Sequence, residues 1–284
     1  VRSEATENGV DASIFRPSTD RYGETVGAVV RCTTCGHGSL AATPTEAEIA
    51  AAYEDAADPV SVDEEDGQRA TADRGLAKVE ALVGTDALVD LGCWTGSFVE
   101  AAGRRGWSAC GIEPSRWAVE RAQVRGLDVH VGDLFALDLK PDSFRCVAMC
   151  DVIEHVLDVS RAIEVAAGLI EPGGALYLTT PDAGSGIARV MGARWWSVLP
   201  MHVQYFTRHS MRWLLERHGL RVASIRTHPK VFTSTYYADR LAGYSPPLAR
   251  AVNRAVAATG QDQRLIAPDF RDRMQVIAVK AGSR

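Results

Sequence analysis

An α/β fold organised around a mostly parallel sheet is what this sequence predicts, and three observations predict it. Short apolar runs alternate with segments of helical period from Thr71 onward, each run has strand length, and no run of about 18 apolar residues offers a membrane span. The strand candidates are ALVDL (87–91), SACGIE (108–113), LDVHV (127–131), RCVAMCD (145–151), GALYLTT (174–180), LRVASIRT (220–227) and MQVIAVK (274–280). Helices fit at 71–83, 97–104, 115–125, 158–170 and 209–218. That alternation implies a parallel sheet covered on both faces.

The segments outside this core read differently. Residues 1–30 are polar and weakly patterned, and DAADPVSVDEEDGQR (55–69) is acidic enough to read as exposed or mobile. Between them, TPTEAEIAAAY starts a helix, with Thr45 and Glu48 spaced as a capping box. Residues 229–270, which contain YSPPLARAVNRAVAATG, read as an insertion over one end of the sheet. The expected organisation is an N-terminal extension (1–70), a core (71–228), an inserted cap (229–270) and a final core strand (271–284).

Bulk properties exclude some roles. A formal charge of -5 over 284 residues would repel a phosphate backbone, so nucleic acid is not an expected partner; with no apolar run for a membrane span and no charged-then-apolar signal pattern, no membrane and a cytoplasmic location are the default expectations. The chain opens on Val1 rather than Met, so residues upstream can be missing. Six cysteines, four of them in strands or at strand ends, fit reduced thiols better than a disulfide framework. Cys93 and Cys150 read as small packing residues, not nucleophiles. The sequence leaves a homodimer open.

The chemistry begins at VDLGCWTGSF (89–98), a strand-to-helix turn with two glycines. In an open parallel sheet, ligands bind beyond the carboxyl ends of the strands, where glycines let a ligand approach the backbone. Tight packing alone would also explain the pair. The next strand end, GIEPS, puts Glu113 23 residues after Asp90, where a carboxylate can accept from both hydroxyls of a ribose. One strand later, GDL offers Asp133 to an exocyclic adenine amine, with Leu134 beside it.

With LVDLGCWTG, CGIEPS, VGDLFAL, FRCVAMCDVIEHVLD, LIEPGGALYLTTPD and HVQYFTRHSMRWLLERHGLRV in this order, the chain resembles the class I S-adenosylmethionine-dependent methyltransferases over about residues 71–228 plus the last strand. The resemblance implies a Rossmann-like seven-stranded sheet with an antiparallel final strand, and S-adenosylmethionine as cofactor. It places Asp90, Gly92 and Gly96, with Cys93 and Trp94 between them, at the methionine part, Glu113 at the ribose, and Asp133 and Leu134 at the adenine. A dinucleotide-binding reading loses because the turn lacks GxGxxG spacing. Trp94 departs from the family, which commonly has glycine there. It covers the cofactor, lines the substrate side, or packs beneath the N-terminal segment.

Asp151, Glu154 and His155 in CDVIEHVLD are spaced i, i+3, i+4, which on a helical turn shares one face. Three readings stand: hydrogen bonds that fix the loop, His155 as general base, or a divalent cation such as Mg²⁺ held by all three. A similar acid-x-x-Glu-His segment binds metal in quinone-biosynthesis O-methyltransferases, which this segment resembles. His202, flanked by Trp195, Trp196 and Tyr205, is a second candidate base in the region where the family places its substrate floor. The expected acceptor is a hydroxyl of a small molecule or glycan, a sugar or glycoside by preference. N- or C-methylation and a non-catalytic partner-binding relative are the alternatives. Cys32 and Cys35 form a single CxxC followed by His37 and resemble half of an N-terminal zinc knuckle, so a metal-free remnant capping the site is expected rather than structural zinc.

Overall fold

The computed structural model describes residues 19, 21–25 and 27–282, so the reading of residues 1–18 lies outside the described residues. In chain order the elements are β1 (Val29–Arg31), β2 (Gly38–Leu40), α1 (Glu46–Glu54), a 3-10 turn (Pro59–Glu64), α2 (Glu65–Val83), β3 (Ala87–Leu91), α3 (Ser97–Arg104), β4 (Ser108–Glu113), α4 (Arg116–Val124), β5 (Val129–Val131) and β6 (Phe144–Cys150). Then follow a 3-10 turn (Ile153–His155), α5 (Val159–Leu169), β7 (Ile170–Pro181), α6 (Gly186–Met191), β8 (Gln204–Tyr205), α7 (Arg208–Arg217) and β9 (Leu220–Thr227). The chain ends with β10 (Phe232–Thr233), α8 (Ser234–Asp239), α9 (Pro246–Ala258), β11 (Leu265–Ile266) and β12 (Arg273–Lys280).

Seven strands form the main sheet in the order β5-β4-β3-β6-β7-β12-β9. Pairing from β5 to β7 is parallel, and β12 runs antiparallel between β7 and β9. Both faces are covered, as the apolar run Cys146–Cys150 of β6 requires. On one face Val89, Val147, Met149, Leu176 and Leu178 pack on Ile163 and Ala166 of α5 and on Met211 and Leu215 of α7. On the other, Leu88, Ala148, Tyr177 and Ile277 pack on Leu76 and Val79 of α2 and Phe98 of α3. Neighbouring residues of β3 thus serve opposite faces, and each fully buried Leu or Val contributes roughly 1.5–3 kcal/mol.

Two sequence expectations change. Residues 55–69 are ordered into a 3-10 turn and the start of α2 and are only in part exposed: Asp58, Ser61 and Glu64 are buried, and α2 begins at Glu65, across the expected boundary at 70/71. Side-chain bonds explain it, because Glu64 accepts from the Thr233 N–H at 2.9 Å and its hydroxyl at 2.6 Å, and the Val231 N–H donates to Thr71 Oγ1 at 2.7 Å. Acidity that reads as solvation is here spent on specific partners. The expected turn of helix at 151–155 is instead a left-handed Asp151, φ +58°, followed by the short 3-10 turn.

α2 crosses β7 with Gly75 against Tyr177, where a Cβ would overlap the tyrosine hydroxyl. Gly75→Ala is expected to destabilise by about 1–3 kcal/mol through overpacking, despite the ~1 kcal/mol that alanine gains in a helix. Thermal unfolding would show a melting temperature lowered by several degrees; an unchanged or raised one would contradict this packing.

Candidate active site

The carboxyl ends of the parallel strands open into a cavity of about 1210 Å³, above the ~300–1,000 Å³ of a pocket for one drug-sized ligand. Its walls come from the β3, β4 and β5 tips, from β6 to the following turn, from the loop before β8, and from two lids. One lid is α1 with the 3-10 turn at 59–64, and the other is the segment from Pro229 to Arg273.

The β3–α3 turn is shaped by Glu113 as much as by its glycines. One oxygen of Glu113 accepts the Trp94 N–H at 2.8 Å and the other the Ser115 N–H at 2.9 Å. The bond to Trp94 holds that residue at φ +50°, a left-handed conformation that costs a side-chain-bearing residue roughly 1–2 kcal/mol. The indole gains partners in return. Its Nε1 donates to Ser61 Oγ at 2.9 Å, and the ring packs on Trp117 with centroids 5.6 Å apart. Trp94 therefore both lines the cavity and ties down the N-terminal lid.

The other residues expected here divide. Asp90, Gly92, Cys93, Glu113, Asp133 and Leu134 line the cavity. Gly92 is needed for φ +75° and for Val152, whose Cγ2 lies 2.6 Å from where a Cβ would stand. Gly96 is a correction of place: it lies outside the cavity lining and caps α3 at φ +80°, where a Cβ would stand 2.8 Å from Leu127 Cδ1. The Cys93 thiol turns toward Gly111, so its backbone is what the cavity can use.

Charge is concentrated here. Burial and the neighbouring Glu113 push the Asp90 carboxyl up to about 8, and burial raises Glu113 to about 7 against the pull of its two N–H bonds. Asp90 Oδ1, Thr95 Oγ1 and Ser97 Oγ are buried without a partner among the described residues, so polar capacity beside the turn awaits a ligand with donors.

Elsewhere on the cavity wall, Glu154, His155 and His202 bring one ligand atom each within 4.8 Å of one another. Long-range bonds assemble them: the Val203 N–H donates to the Glu154 carbonyl at 2.9 Å, and Gln204 Nε2 donates to the carbonyls of Val156 and Leu157. His155 Nδ1 lies 3.2 Å from the Met201 carbonyl and His202 Nδ1 2.8 Å from that of Ser197. A carbonyl only accepts, so each Nδ1 carries the proton and each Nε2 keeps its lone pair. Burial holds both imidazoles neutral, His202 down at about 4 and His155 well below its ordinary value. Glu154, braced by the Thr180 hydroxyl at 3.0 Å, is raised to about 7 by burial.

Asp151 is the second correction. It does not join Glu154 and His155; it pairs with Lys230 and Arg273, and His202 takes the third place. The left-handed turn at Asp151 aims it away from the face that an α-helix would have given it. Trp195 is buried with its Nε1 on Asp272 at 3.1 Å, while Trp196 lines the cavity. The hairpin carrying Cys32 and Cys35 supports the His202 loop, since β2 pairs with β8. Within that hairpin, His37 is committed to Gln204 at 2.9 Å. Lys230 and Arg273, absent from the sequence reading, follow β9 and open β12; the carboxyl-end rule applied to β9 reaches Lys230, and the antiparallel direction of β12 brings its first residue, Arg273, to the same end of the sheet.

These shifts carry a pH signature. Asp90, Glu113 and Glu154 keep protons in the fold that the unfolded chain releases above its ordinary 3.8–4.5, so they lower stability as pH rises toward about 8. The buried histidines, depressed below 6.5, act in the opposite sense only between about 4 and 6.5. Between pH 6.5 and 8.5 the histidine effect is gone and the carboxyl effect, joined near the top of the range by the buried thiols, remains, so the urea midpoint is expected to fall, and less steeply in Glu154→Gln. A flat or rising midpoint would contradict these assignments.

The comparisons with known proteins agree with this geometry. The family described as Methyltransferase domain matches residues 63–225, more than half of the chain. Among curated proteins, the ubiquinone biosynthesis O-methyltransferase of Ralstonia nicotianae is 31% identical over 117 residues, 38% of this chain and 49% of that protein. The human mitochondrial protein of the same name is 24% identical over 155 residues, 49% of this chain and 42% of its own. The chain thus matches half or less of the length of these relatives. An S-adenosylmethionine-dependent methyltransferase from Archaeoglobus fulgidus is similar in fold, with TM-score 0.54 at 16% identity, covering 78% of this chain and 100% of that one. The chain belongs to the methyltransferase domain family and has the seven-stranded sheet of the class I S-adenosylmethionine-dependent methyltransferases.

Proposed function

We propose that the protein transfers a methyl group from S-adenosylmethionine to a hydroxyl of a small molecule, a sugar or glycoside or a planar phenol. The observation that carries this reading is the group of Glu154 and two neutral imidazoles with fixed tautomers, in the same cavity as Asp90 and Glu113. The name of the ubiquinone biosynthesis O-methyltransferases supports a hydroxyl acceptor in preference to nitrogen or carbon.

The residues present fit the cofactor. Asp90, with an unpartnered buried oxygen, suits an ammonium group, Glu113 retains lone pairs for ribose hydroxyls, and Asp133 and Leu134 suit an adenine edge. S-adenosylmethionine supplies an already activated methyl group, so the chain needs no covalent nucleophile. Its cysteines fit that: burial raises the thiols of Cys93 and Cys150 well above their ordinary value. What the protein supplies is alignment, exclusion of water by the two lids, and acceptance of one proton. The Nε2 lone pairs of His155 and His202 orient the acceptor hydroxyl. Glu154, with a pKa of about 7, is the proton acceptor best matched to neutral pH.

A divalent cation is a second reading of the same three groups, with His202 in the place expected for Asp151. Two imidazoles and one carboxylate suit Zn²⁺, Mn²⁺ or Fe²⁺ better than the all-oxygen preference of Mg²⁺. Both imidazoles have the Nδ1 to carbonyl bonds that fix metal-ligating histidines.

The test is methyl transfer from labelled S-adenosylmethionine to a panel of sugars and phenols, with metal analysis of the purified protein and the product's methyl group located by NMR. A methyl group on oxygen supports the reading; one on nitrogen or carbon, or cofactor binding with no transfer, moves it to the alternatives.

A further inference from the structure

The carboxyl ends of β6 and β9 and the amino end of the antiparallel β12 meet at an ion group that the proposed chemistry does not use. Lys230 Nζ lies 2.5 Å from Asp151 Oδ2, and Arg273 Nη2 pairs with the other oxygen of the same carboxylate, which also accepts from Thr179 Oγ1 at 3.3 Å. One carboxylate thus faces two cations. Arg273 Nε is buried and has no partner among the described residues, and the Lys230 ammonium also faces the Phe232 ring at 5.7 Å, with Tyr236 and Arg240 within electrostatic reach. Glu154 lines the same cavity but makes no ion pair with either cation among the described residues. Positive charge is therefore in excess in a low-dielectric wall, where an uncompensated ion is costly.

A purely structural role does not account for the lysine. The guanidinium fork of Arg273 can satisfy Asp151 alone. Lys230 instead stands on the cavity wall, its side chain 32% exposed, and its charge reaches Glu154, His155 and His202. The wall beside it is aromatic, with Phe232 and Tyr236 at 4.1 Å between centroids.

We infer that the acceptor carries an anionic group, a carboxylate or a phosphate, which docks on Lys230 with Arg273 behind it while the ring bearing the reacting hydroxyl lies against the aromatic wall. This rests on the methyltransferase reading of the same cavity. It makes Lys230 a specificity-determining residue and turns the search away from neutral acceptors.

The test uses matched pairs: 3,4-dihydroxybenzoate against catechol, and glucuronate and glucose 6-phosphate against glucose. Each is titrated calorimetrically with and without S-adenosylhomocysteine, on wild type, Lys230→Met and Lys230→Arg. In at least one pair the charged member is expected to bind ten times tighter or more. Lys230→Met should reduce that preference below threefold, and Lys230→Arg should keep most of it. Whether the carboxylates or the phosphate respond identifies the anion. If Lys230→Met does not fold, Lys230→Gln replaces it with the same expected loss. Equal binding within every pair, absence of binding throughout, or a preference that survives loss of the lysine overturns the inference. Binding of S-adenosylhomocysteine without charge preference overturns the anion site alone; charge preference without S-adenosylhomocysteine binding overturns the methyltransferase reading and leaves the anion site standing.

Discussion

Glu113→Ala is expected to weaken S-adenosylhomocysteine binding on the order of 100-fold, about 3 kcal/mol. The carboxylate has two tasks that fail together. Its outer lone pairs would hold the ribose, and its bonds to the Trp94 and Ser115 N–H groups hold the β3–α3 turn in a conformation that Trp94 would not otherwise adopt. Removing it frees the left-handed turn to relax and leaves two N–H groups short of a partner. Glu113→Gln separates the tasks, since the amide oxygen can still accept one N–H while the charge is gone. It should lie between wild type and alanine. Calorimetric titration reads the affinity, and thermal unfolding of the ligand-free variants shows whether the fold survives. Affinity within threefold of wild type in Glu113→Ala would remove the ribose assignment.

The second large effect is on the transfer step. Glu154→Gln is expected to lower kcat by roughly 10²–10⁴, the usual range for a general base, and His202→Asn, which misplaces the acceptor hydroxyl, by about 10², with S-adenosylhomocysteine affinity little changed in both. A base works deprotonated, so the wild-type rate should rise through about pH 7 and level off above it, following Glu154. In Glu154→Gln that rise should disappear. In His202→Asn it should remain, because the asparagine removes an orienting lone pair and leaves the titrating carboxyl in place. A His202→Asn enzyme with wild-type kcat, or a pH profile unchanged by Glu154→Gln, would show that the proton leaves by another route.

The core was legible because it is periodic. Strands 87–91, 108–113 and 220–227 agree with the structure residue for residue, since apolar runs and turn glycines are local signals that the sheet does not override. The capping box at Thr45 and Glu48 is present for the same reason. What composition could not show was residues 55–69, whose acidic side chains find partners as distant in sequence as Thr233. The acid trio failed at Asp151 because spacing i, i+3, i+4 means one face only in a helix, and the chain there leaves β6 through a left-handed residue. His202 was identified as a candidate base, but its place beside Glu154 and His155 depends on bonds across more than forty residues that no local pattern carries. The fold alone does not choose a reaction; the side chains at the strand ends do.

The measurement that bears most directly on the central claim is the crystal structure of the protein with S-adenosylhomocysteine. The account predicts ribose hydroxyls on Glu113, the adenine between Asp133 and Leu134, the amino end at Asp90, and the sulfur turned toward Glu154, His155 and His202. Ligand density elsewhere in the cavity, or a ribose with no contact to Glu113, would contradict it.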